Sequence, residues 1–203
     1  MVAMDQVQEP AIGLECSGVV TRVGSSTSRF KVGDRVMTWL LGGFSNFARN
    51  DESMIYTVPD GMSFETAASL PMIYCTAYSS LVDEARLHRD DTVLIHAAAG
   101  GVGQAAIMIA QSIGAEIFAT VGSQAKKEHI MRTYGIAEDH IFNSRDHSFA
   151  DGVMRMTRGK GVDVVLNSLA GEALRLSWNC LAWFGRFVEL GKKDISKSLP
   201  LPT

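Results

Sequence analysis

The sequence predicts an α/β fold, in which a doubly wound parallel Rossmann sheet is preceded by part of a small β-barrel. From about residue 90 onward, short apolar runs alternate with longer stretches of helix-forming residues. Such alternation is typical of a parallel sheet that is covered on both faces. Before about residue 64, short alternating runs are separated by glycines, which favours antiparallel strands joined by tight turns. The predicted domains are therefore residues 1–64 and 65–203.

The barrel-like segment comes first along the chain. The runs 15–24 and 32–37 alternate in polarity and are bounded by glycines, so they predict short antiparallel strands. Residues 63–87 then predict helix, which Pro71 starts or kinks. In the second domain, five strands are predicted at about 92–96, 116–121, 140–142, 162–167 and 184–190. Four helices are predicted between them at about 101–113, 124–134, 147–158 and 171–182.

A glycine-rich turn joins the first of these strands to the first helix, and its residues are Gly100, Gly101, Val102 and Gly103. The spacing is that of the dinucleotide fingerprint G-x-G-x-x-G, with Ala98 in the first glycine position. Free backbone N–H groups and the positive end of a helix dipole at such a joint suit a pyrophosphate. The turn therefore predicts a dinucleotide site, and the alternative is a tight turn that binds no ligand.

The end of the second strand indicates which dinucleotide binds. Sites that prefer NAD have an acidic residue there, which accepts hydrogen bonds from the ribose hydroxyls. Here Ser123 takes that place, and Lys126 and Lys127 follow. Two charge-assisted hydrogen bonds to a 2′-phosphate, at roughly 1.5–3 kcal/mol each, would favour NADPH about a hundredfold or more. The alternative is that the two lysines belong to an ordinary solvated helix face.

Residues that follow the later strands complete the candidate site. The carboxyl ends of strands in an open α/β sheet face the ligand, which places Asn167, Ser168 and Leu169 beside the nicotinamide half of the cofactor. Asn and Ser also commonly cap helices, and both roles are compatible. Lys192 directly follows the last strand, and Arg145 follows the third, within reach of the adenosine phosphate. For both basic residues a surface role is the alternative.

Composition and charge exclude several classes of protein. A net charge of −3 and a pI near 5.9 argue against binding to nucleic acid or to an anionic membrane. The sequence has no apolar run of membrane-spanning length, and its first residues do not have the pattern of a secretory signal. Cys16, Cys75 and Cys180 are scattered and have no metal-ligand spacing, so they predict reduced thiols in a cytoplasmic protein.

Eight motifs in order resemble the medium-chain dehydrogenase/reductase superfamily, in its quinone-reductase-like branch. The most similar members are the enoyl reductase domains of fungal highly reducing polyketide synthases and of animal fatty acid synthase. The motifs begin at Gly13 (GLECSGVV), Val32 (VGDRV), Tyr74 (YCTAY), His96 (HAAAGGVG), Val121 (VGS), Ser144 (SRD), Leu166 (LNSL) and Gly185 (GRFVELGK).

The resemblance implies a GroES-like barrel before the Rossmann domain, and a specific reaction. In these domains NADPH delivers a hydride to the β-carbon of an α,β-unsaturated thioester on an acyl carrier protein, and the enolate is protonated at the α-carbon. Lys192 matches the lysine proposed in the family to polarise the thioester or to donate the proton. Asn167, Ser168 and Thr76 are expected to shape the nicotinamide pocket. The parent protein is expected to be homodimeric and to carry the other domains of a megasynthase.

No metal is predicted. The zinc-dependent alcohol dehydrogenases of the superfamily have a Gly-His-Glu motif, which reads Gly13, Leu14, Glu15 here. Met72 occupies the place of the later cysteine ligand, and the loop of four cysteines that binds structural zinc has no counterpart. Protein groups are therefore expected to polarise the substrate in place of a Lewis acid.

The resemblance also implies that the chain is truncated at both ends. Family members carry further barrel strands before the position of residue 1 and a sixth sheet strand after that of residue 203. Their absence should leave apolar surface and a sheet edge exposed. Three functions remain open: an enoyl reductase domain of a polyketide synthase, a free-standing NADPH:quinone oxidoreductase, and an inactive nucleotide-binding remnant. Residues 143–146 and 185–194 favour the first, since quinone reductases usually have an aromatic residue in place of Ser144.

Overall fold

The computed structural model describes residues 12–197, and the chain divides into two compact units between Cys75 and Thr76. The predicted domains, whose boundary follows residue 64, extend at both ends beyond the described residues. No helix in the described range is long and apolar enough to cross a membrane.

The first unit contains a three-stranded antiparallel sheet in the order β1-β2-β3. Its strands are β1 (Glu15–Val19), β2 (Arg35–Trp39) and β3 (Ile55–Thr57), and a 3-10 helix (Glu52–Met54) precedes β3. Helix α1 (Phe64–Ala68) begins at Ser63, whose side chain accepts a hydrogen bond from the Thr66 amide. Helix α2 (Pro71–Tyr78) starts at its proline, as the sequence predicts, and extends past the division between the units.

The second unit is a five-stranded parallel sheet in the order β6-β5-β4-β7-β8. The strands are β4 (Thr92–Ile95), β5 (Glu116–Val121), β6 (Ile141–Asn143), β7 (Val162–Asn167) and β8 (Leu181–Glu189). Between them lie α3 (Gly101–Ile113), α4 (Gln124–Tyr134), α5 (Phe149–Met156) and α6 (Glu172–Asn179), and α7 (Lys193–Ser196) follows β8. A π-helical turn (Ser79–Glu84) precedes β4, and a 3-10 turn (Glu138–His140) precedes β6. The predicted doubly wound sheet is confirmed.

Apolar strands in the middle of the sheet build the core of this unit. Strand β4 is central, and its residues Val93, Leu94 and Ile95 are fully buried. Leu94 belongs to a cluster with residues from β5, α5 and β7, among them Phe118, Phe149, Val153 and Val165. Buried apolar area of this kind supplies most of the favourable free energy of folding. It therefore fixes the carboxyl ends of the strands, where the candidate site residues lie.

Strand β8 forms one edge of the sheet in the described part of the chain. Near its start, Trp183 and Phe184 are 92% and 96% exposed. Two large aromatic side chains therefore lie in water on a strand at the edge of the described sheet.

Candidate functional site

The glycine-rich turn lies between the end of β4 and the start of α3. Gly100 is the N-cap of α3, and no side chain caps the helix. Gly103 is buried, and a Cβ atom there would lie 2.7 Å from Cα of Ala98 and would also collide with the carbonyl oxygen of Ala97. The helix can therefore approach the strand this closely because residue 103 has no side chain. Gly100 and Gly101 are exposed, so the amino end of a 13-residue helix is open to an anionic ligand.

A buried polar network, which no local sequence pattern indicates, supports this turn. Nδ1 of His96 lies 2.8 Å from Oγ1 of Thr120 on β5, and Nε2 lies 2.8 Å from Oγ of Ser177 on α6. The Ser177 hydroxyl donates to the Ala173 carbonyl, so its oxygen accepts from a protonated Nε2 of His96. Nδ1 then accepts from the Thr120 hydroxyl. Burial lowers the pKa of His96 to about 3, and the ring is therefore neutral at physiological pH.

The end of β5 carries the residues predicted to recognise the 2′-phosphate. Ser123 is the N-cap of α4, and its hydroxyl accepts from the Lys126 amide at 3.4 Å. The Lys126 side chain is exposed. Nζ of Lys127 instead lies 3.3 Å from a carboxylate oxygen of Glu138, so its charge is already paired.

Arg145 lies next to the residues at the end of β5. The position of a Cβ on Gly122 would be 3.0 Å from Nε of Arg145, so the guanidinium lies against the backbone one residue before Ser123. Arg145 is exposed, and its amide is held by the Asn143 side chain at 2.9 Å. The structure therefore brings Ser123, Lys126 and Arg145 to the same end of the sheet and turns Lys127 toward the 3-10 turn before β6.

The residues predicted to lie beside the nicotinamide follow β7. Asn167 is fully buried. Its Oδ1 accepts from the Leu169 amide at 3.3 Å, and its Nδ2 donates to the Leu169 carbonyl at 2.9 Å. Ser168 is exposed and Leu169 is half-buried. The N-cap of α6 is Gly171, at φ 64°, so neither Asn167 nor Ser168 caps that helix.

Thr76 lies elsewhere along the chain, on α2, and its side chain is half-buried.

Lys192 lies between the end of β8 and the start of α7. Its side chain is exposed and makes no ion pair within residues 12–197. The backbone just before it is joined to the neighbouring strand, because the Leu190 amide donates to the Asn167 carbonyl at 2.8 Å. Lys192 therefore shares the carboxyl edge of the sheet with Asn167 and Ser168, as predicted.

Glu189 is a further group at this edge, and it is not among the residues predicted for the site. Its Oε2 accepts from Nδ2 of Asn167 at 2.7 Å, and its Oε1 accepts from the Gly191 amide at 2.5 Å. Burial raises the pKa of its carboxyl, while the bonds from Asn167 and Gly191 act in the opposite direction. The signal available in the sequence is an acidic residue that ends a strand directly after the apolar pair Phe187 and Val188.

The motif that binds zinc in alcohol dehydrogenases has a structural role here. Oε2 of Glu15 accepts from the Met72 amide at 2.8 Å, near the amino end of α2. A carboxylate there satisfies a free N–H group and interacts favourably with the helix dipole. The described residues include no group of three or more His, Cys, Asp or Glu side chains that could hold a metal ion, so these residues do not fit a zinc site.

Comparisons of the sequence with protein families give two matches. Residues 2–67 match the family described as alcohol dehydrogenase GroES-like domain, and residues 101–203 match the family described as zinc-binding dehydrogenase. Two fungal relatives are the highly-reducing polyketide synthase 1 of Aureobasidium melanogenum, 54% identical over 198 residues, and the highly reducing polyketide synthase poxF of Penicillium oxalicum, 55% identical over 200. Each alignment covers 98% of this chain but 9% and 8% of the synthase.

Three solved structures are similar as well. The CurK enoyl reductase is 47% identical with a TM-score of 0.85, over 90% of this chain and 54% of its own. The nucleotide-binding subdomain of the PpsC enoyl reductase domain from Mycobacterium tuberculosis is 48% identical with a TM-score of 0.60, over 64% and 72%. The Escherichia coli quinone oxidoreductase complexed with NADPH is 31% identical with a TM-score of 0.81, over 89% and 55%.

Proposed function

Because the chain belongs to the medium-chain dehydrogenase/reductase family, in its enoyl reductase branch, we propose that it reduces the α,β double bond of an enoyl thioester during polyketide assembly. The observation that carries the proposal is the similarity to the CurK enoyl reductase, at 47% identity over 90% of the chain, against 31% for the quinone oxidoreductase. The chain spans less than a tenth of the curated synthases that it resembles, so the activity proposed is that of this segment.

The family binds a nicotinamide dinucleotide, and we propose NADPH as the cofactor of this chain. The open amides of residues 100–103 would bind the pyrophosphate, because Gly103 allows the close approach of α3 and no side chain occupies the helix end. Ser123, Lys126 and Arg145 would bind the 2′-phosphate, since their hydroxyl and cationic groups lie at one end of the sheet. Lys127 would contribute less, because Glu138 already neutralises it.

The proposed chemistry needs one further protein group. Bound NADPH supplies the hydride for the β-carbon, and the remaining task is to stabilise the enolate charge and to protonate the α-carbon. Lys192 has a positive charge, a transferable proton and no ion-pair partner in the described range. We assign it the role of polarising the thioester carbonyl or donating the proton, with Asn167, Ser168, Leu169 and Thr76 shaping the nicotinamide pocket. The residues do not fit a metal site, so polarisation is assigned to protein groups.

The proposal extends to partners and context. The substrate would be an enoyl thioester on an acyl carrier protein, because the curated relatives are polyketide synthases. The chain would work beside the other domains of a homodimeric synthase in the cytoplasm, with domains at 1–64 and 65–203, and would bind neither nucleic acid nor membrane. One alternative is an inactive nucleotide-binding remnant. The other is an NADPH:quinone oxidoreductase, and the similarity to the Escherichia coli quinone oxidoreductase supports that alternative.

The test compares two substrates in one assay. The full-length polypeptide that carries this sequence is mixed with NADPH and either a crotonyl thioester of an acyl carrier protein or a soluble quinone. NADPH oxidation is followed by absorbance, and the product is identified by mass spectrometry. Reduction of the thioester with little quinone turnover is expected. Preferential quinone turnover would establish the oxidoreductase instead, and NADPH binding without turnover of either substrate would establish the inactive remnant.

A further inference from the structure

Lys192 lies in a short segment, residues 190–194, which is called the Lys192 span. Hydrogen bonds join both ends of this span to the end of β7 and the loop that follows it. On one side, the Leu190 amide donates to the Asn167 carbonyl at 2.8 Å. On the other, the Asp194 carboxylate accepts from the Gly171 amide at 3.0 Å. The Lys192 side chain is itself exposed and makes no ion pair in the described range. Its location therefore depends on how the backbone on either side of it is held.

Glu189 is the side chain that joins these two loops. One carboxylate oxygen accepts from the Gly191 amide at 2.5 Å, next to Lys192, and the other accepts from Nδ2 of Asn167 at 2.7 Å. The orientation of the Asn167 amide is fixed by its two bonds to Leu169, one in each direction. Nδ2 of Asn167 must therefore face Glu189, and the partner at position 189 must be an acceptor.

A carboxylate meets both requirements at once. It accepts a charge-assisted bond on each oxygen, and such bonds are shorter and stronger than neutral ones. A glutamine at 189 could still accept from the Gly191 amide, but its NH2 group would then face the NH2 group of Asn167. The carboxylate also lies directly against the backbone before Lys192, because a Cβ on Gly191 would be 2.6 Å from Oε1 of Glu189. The contact is therefore specific in its chemistry.

We propose that Glu189 is a positioning residue, which acts through Gly191 and Asn167 to hold Lys192 at the carboxyl edge of β7 and β8. The inference rests on the proposed function, since it takes Lys192 as the group that acts on the thioester. Glu189 does not touch the substrate in this assignment. It sets where the ammonium lies, and a shift of about 1 Å in a catalytic group can cost on the order of a hundredfold in rate.

The test uses two single variants and their combination in the full-length polypeptide. Glu189→Gln removes one bond with little change of shape, and Asn167→Asp places two carboxylates face to face. The double variant N167D/E189Q restores a donor and an acceptor between the two positions. Glu84→Gln is the matched control, because it makes the same chemical change at an exposed residue of the same unit. Each protein is assayed for kcat and KM with NADPH and an enoyl thioester, and for hydrogen exchange at the Gly191 amide, which donates to Glu189.

Glu189→Gln is expected to lower kcat roughly tenfold or more while KM for NADPH changes less than about threefold. The reason is that the variant displaces Lys192, which acts on the thioester, and leaves the proposed cofactor-binding groups in place. Exchange at the Gly191 amide should accelerate by about tenfold, the equivalent of one weakened hydrogen bond. The double variant should be faster than N167D. Such rescue is expected only if the two side chains act through the bond between them, and not if each acts separately.

Two results would overturn the inference. They are unchanged kcat in Glu189→Gln, whatever its exchange rate, and loss of kcat without faster exchange. If the wild-type protein reduces no thioester at all, the proposed function fails. The exchange measurement then still decides whether Glu189 holds the Lys192 span.

Discussion

Adding one methyl group at Gly103 is the sharpest perturbation of the glycine-rich turn, residues 100–103. In Gly103→Ala the new Cβ would lie 2.7 Å from Cα of Ala98 and would also collide with the Ala97 carbonyl oxygen. Both obstacles are backbone, so they cannot be relieved by rotating a side chain, and α3 must move away from β4. Overpacking of this kind costs about 1–3 kcal/mol. At roughly 2–4 °C per kcal/mol for a chain of this size, the melting temperature should fall by about 2–12 °C.

The same displacement should weaken cofactor binding, because it moves the amides that are proposed to bind the pyrophosphate. Differential scanning fluorimetry and calorimetric titration with NADPH measure the two effects. Gly18→Ala is the control, since a Cβ there would meet nothing within 4 Å, and the melting temperature should stay near that of the wild type. Gly100→Ala should lie between the two, with its nearest contact at 3.2 Å. Wild-type stability and affinity in Gly103→Ala would refute the reasoning that this turn is a dinucleotide cradle.

Three further predictions concern cofactor choice, catalysis and pH. Lys126→Ala should reduce a preference for NADPH over NADH that is at least about tenfold in the wild type, and calorimetric titrations that give equal affinities of the wild type for both cofactors would contradict it. Lys192→Met should leave NADPH affinity nearly unchanged while slowing enoyl reduction by roughly 10²-fold or more. Single-turnover NADPH oxidation at the wild-type rate would remove Lys192 from the mechanism. His96 has a pKa of about 3 when folded and about 6.5 when unfolded, so its stabilisation is present above pH 6.5 and is lost as the pH falls toward 3. As the pH is lowered from 6 to 4, the unfolding free energy of the wild type should therefore fall more steeply than that of His96→Gln. The difference in slope should be up to about 1.4 kcal/mol per pH unit. Urea titrations at each pH measure both free energies.

The elements of the Rossmann unit could be predicted closely because their signals are local. Strand β5 and helices α3 and α4 have the predicted bounds, since apolar runs and capping residues define them. Gly114 and Gly135, for example, end the two helices in the left-handed conformation. Sequence patterns also place Lys192 and Asn167 at strand ends, and the parallel sheet brings those ends to one edge.

The contacts within the site could not be predicted, because they join residues distant in sequence. His96 meets Ser177 across 81 positions, and Asn167 meets Glu189 across 22. Nothing near Lys127 in the sequence indicates that it forms an ion pair with Glu138, since that pair depends on where the 3-10 turn packs. Local patterns define which residues lie at an edge, whereas tertiary packing decides which of them are free to meet a ligand.

The bond between His96 and Ser177 has a consequence for the order in which the protein is made. The glycine-rich turn leaves the ribosome well before α6. The 81 residues that separate His96 from Ser177 take roughly 4–16 s to synthesise at about 5–20 residues per second. During that interval Nε2 of His96 has no Ser177 hydroxyl to bind, and the imidazole remains able to take up a proton from water. The buried network behind the glycine-rich turn is therefore incomplete until α6 has been translated, and binding of the proposed dinucleotide is expected to follow synthesis of α6.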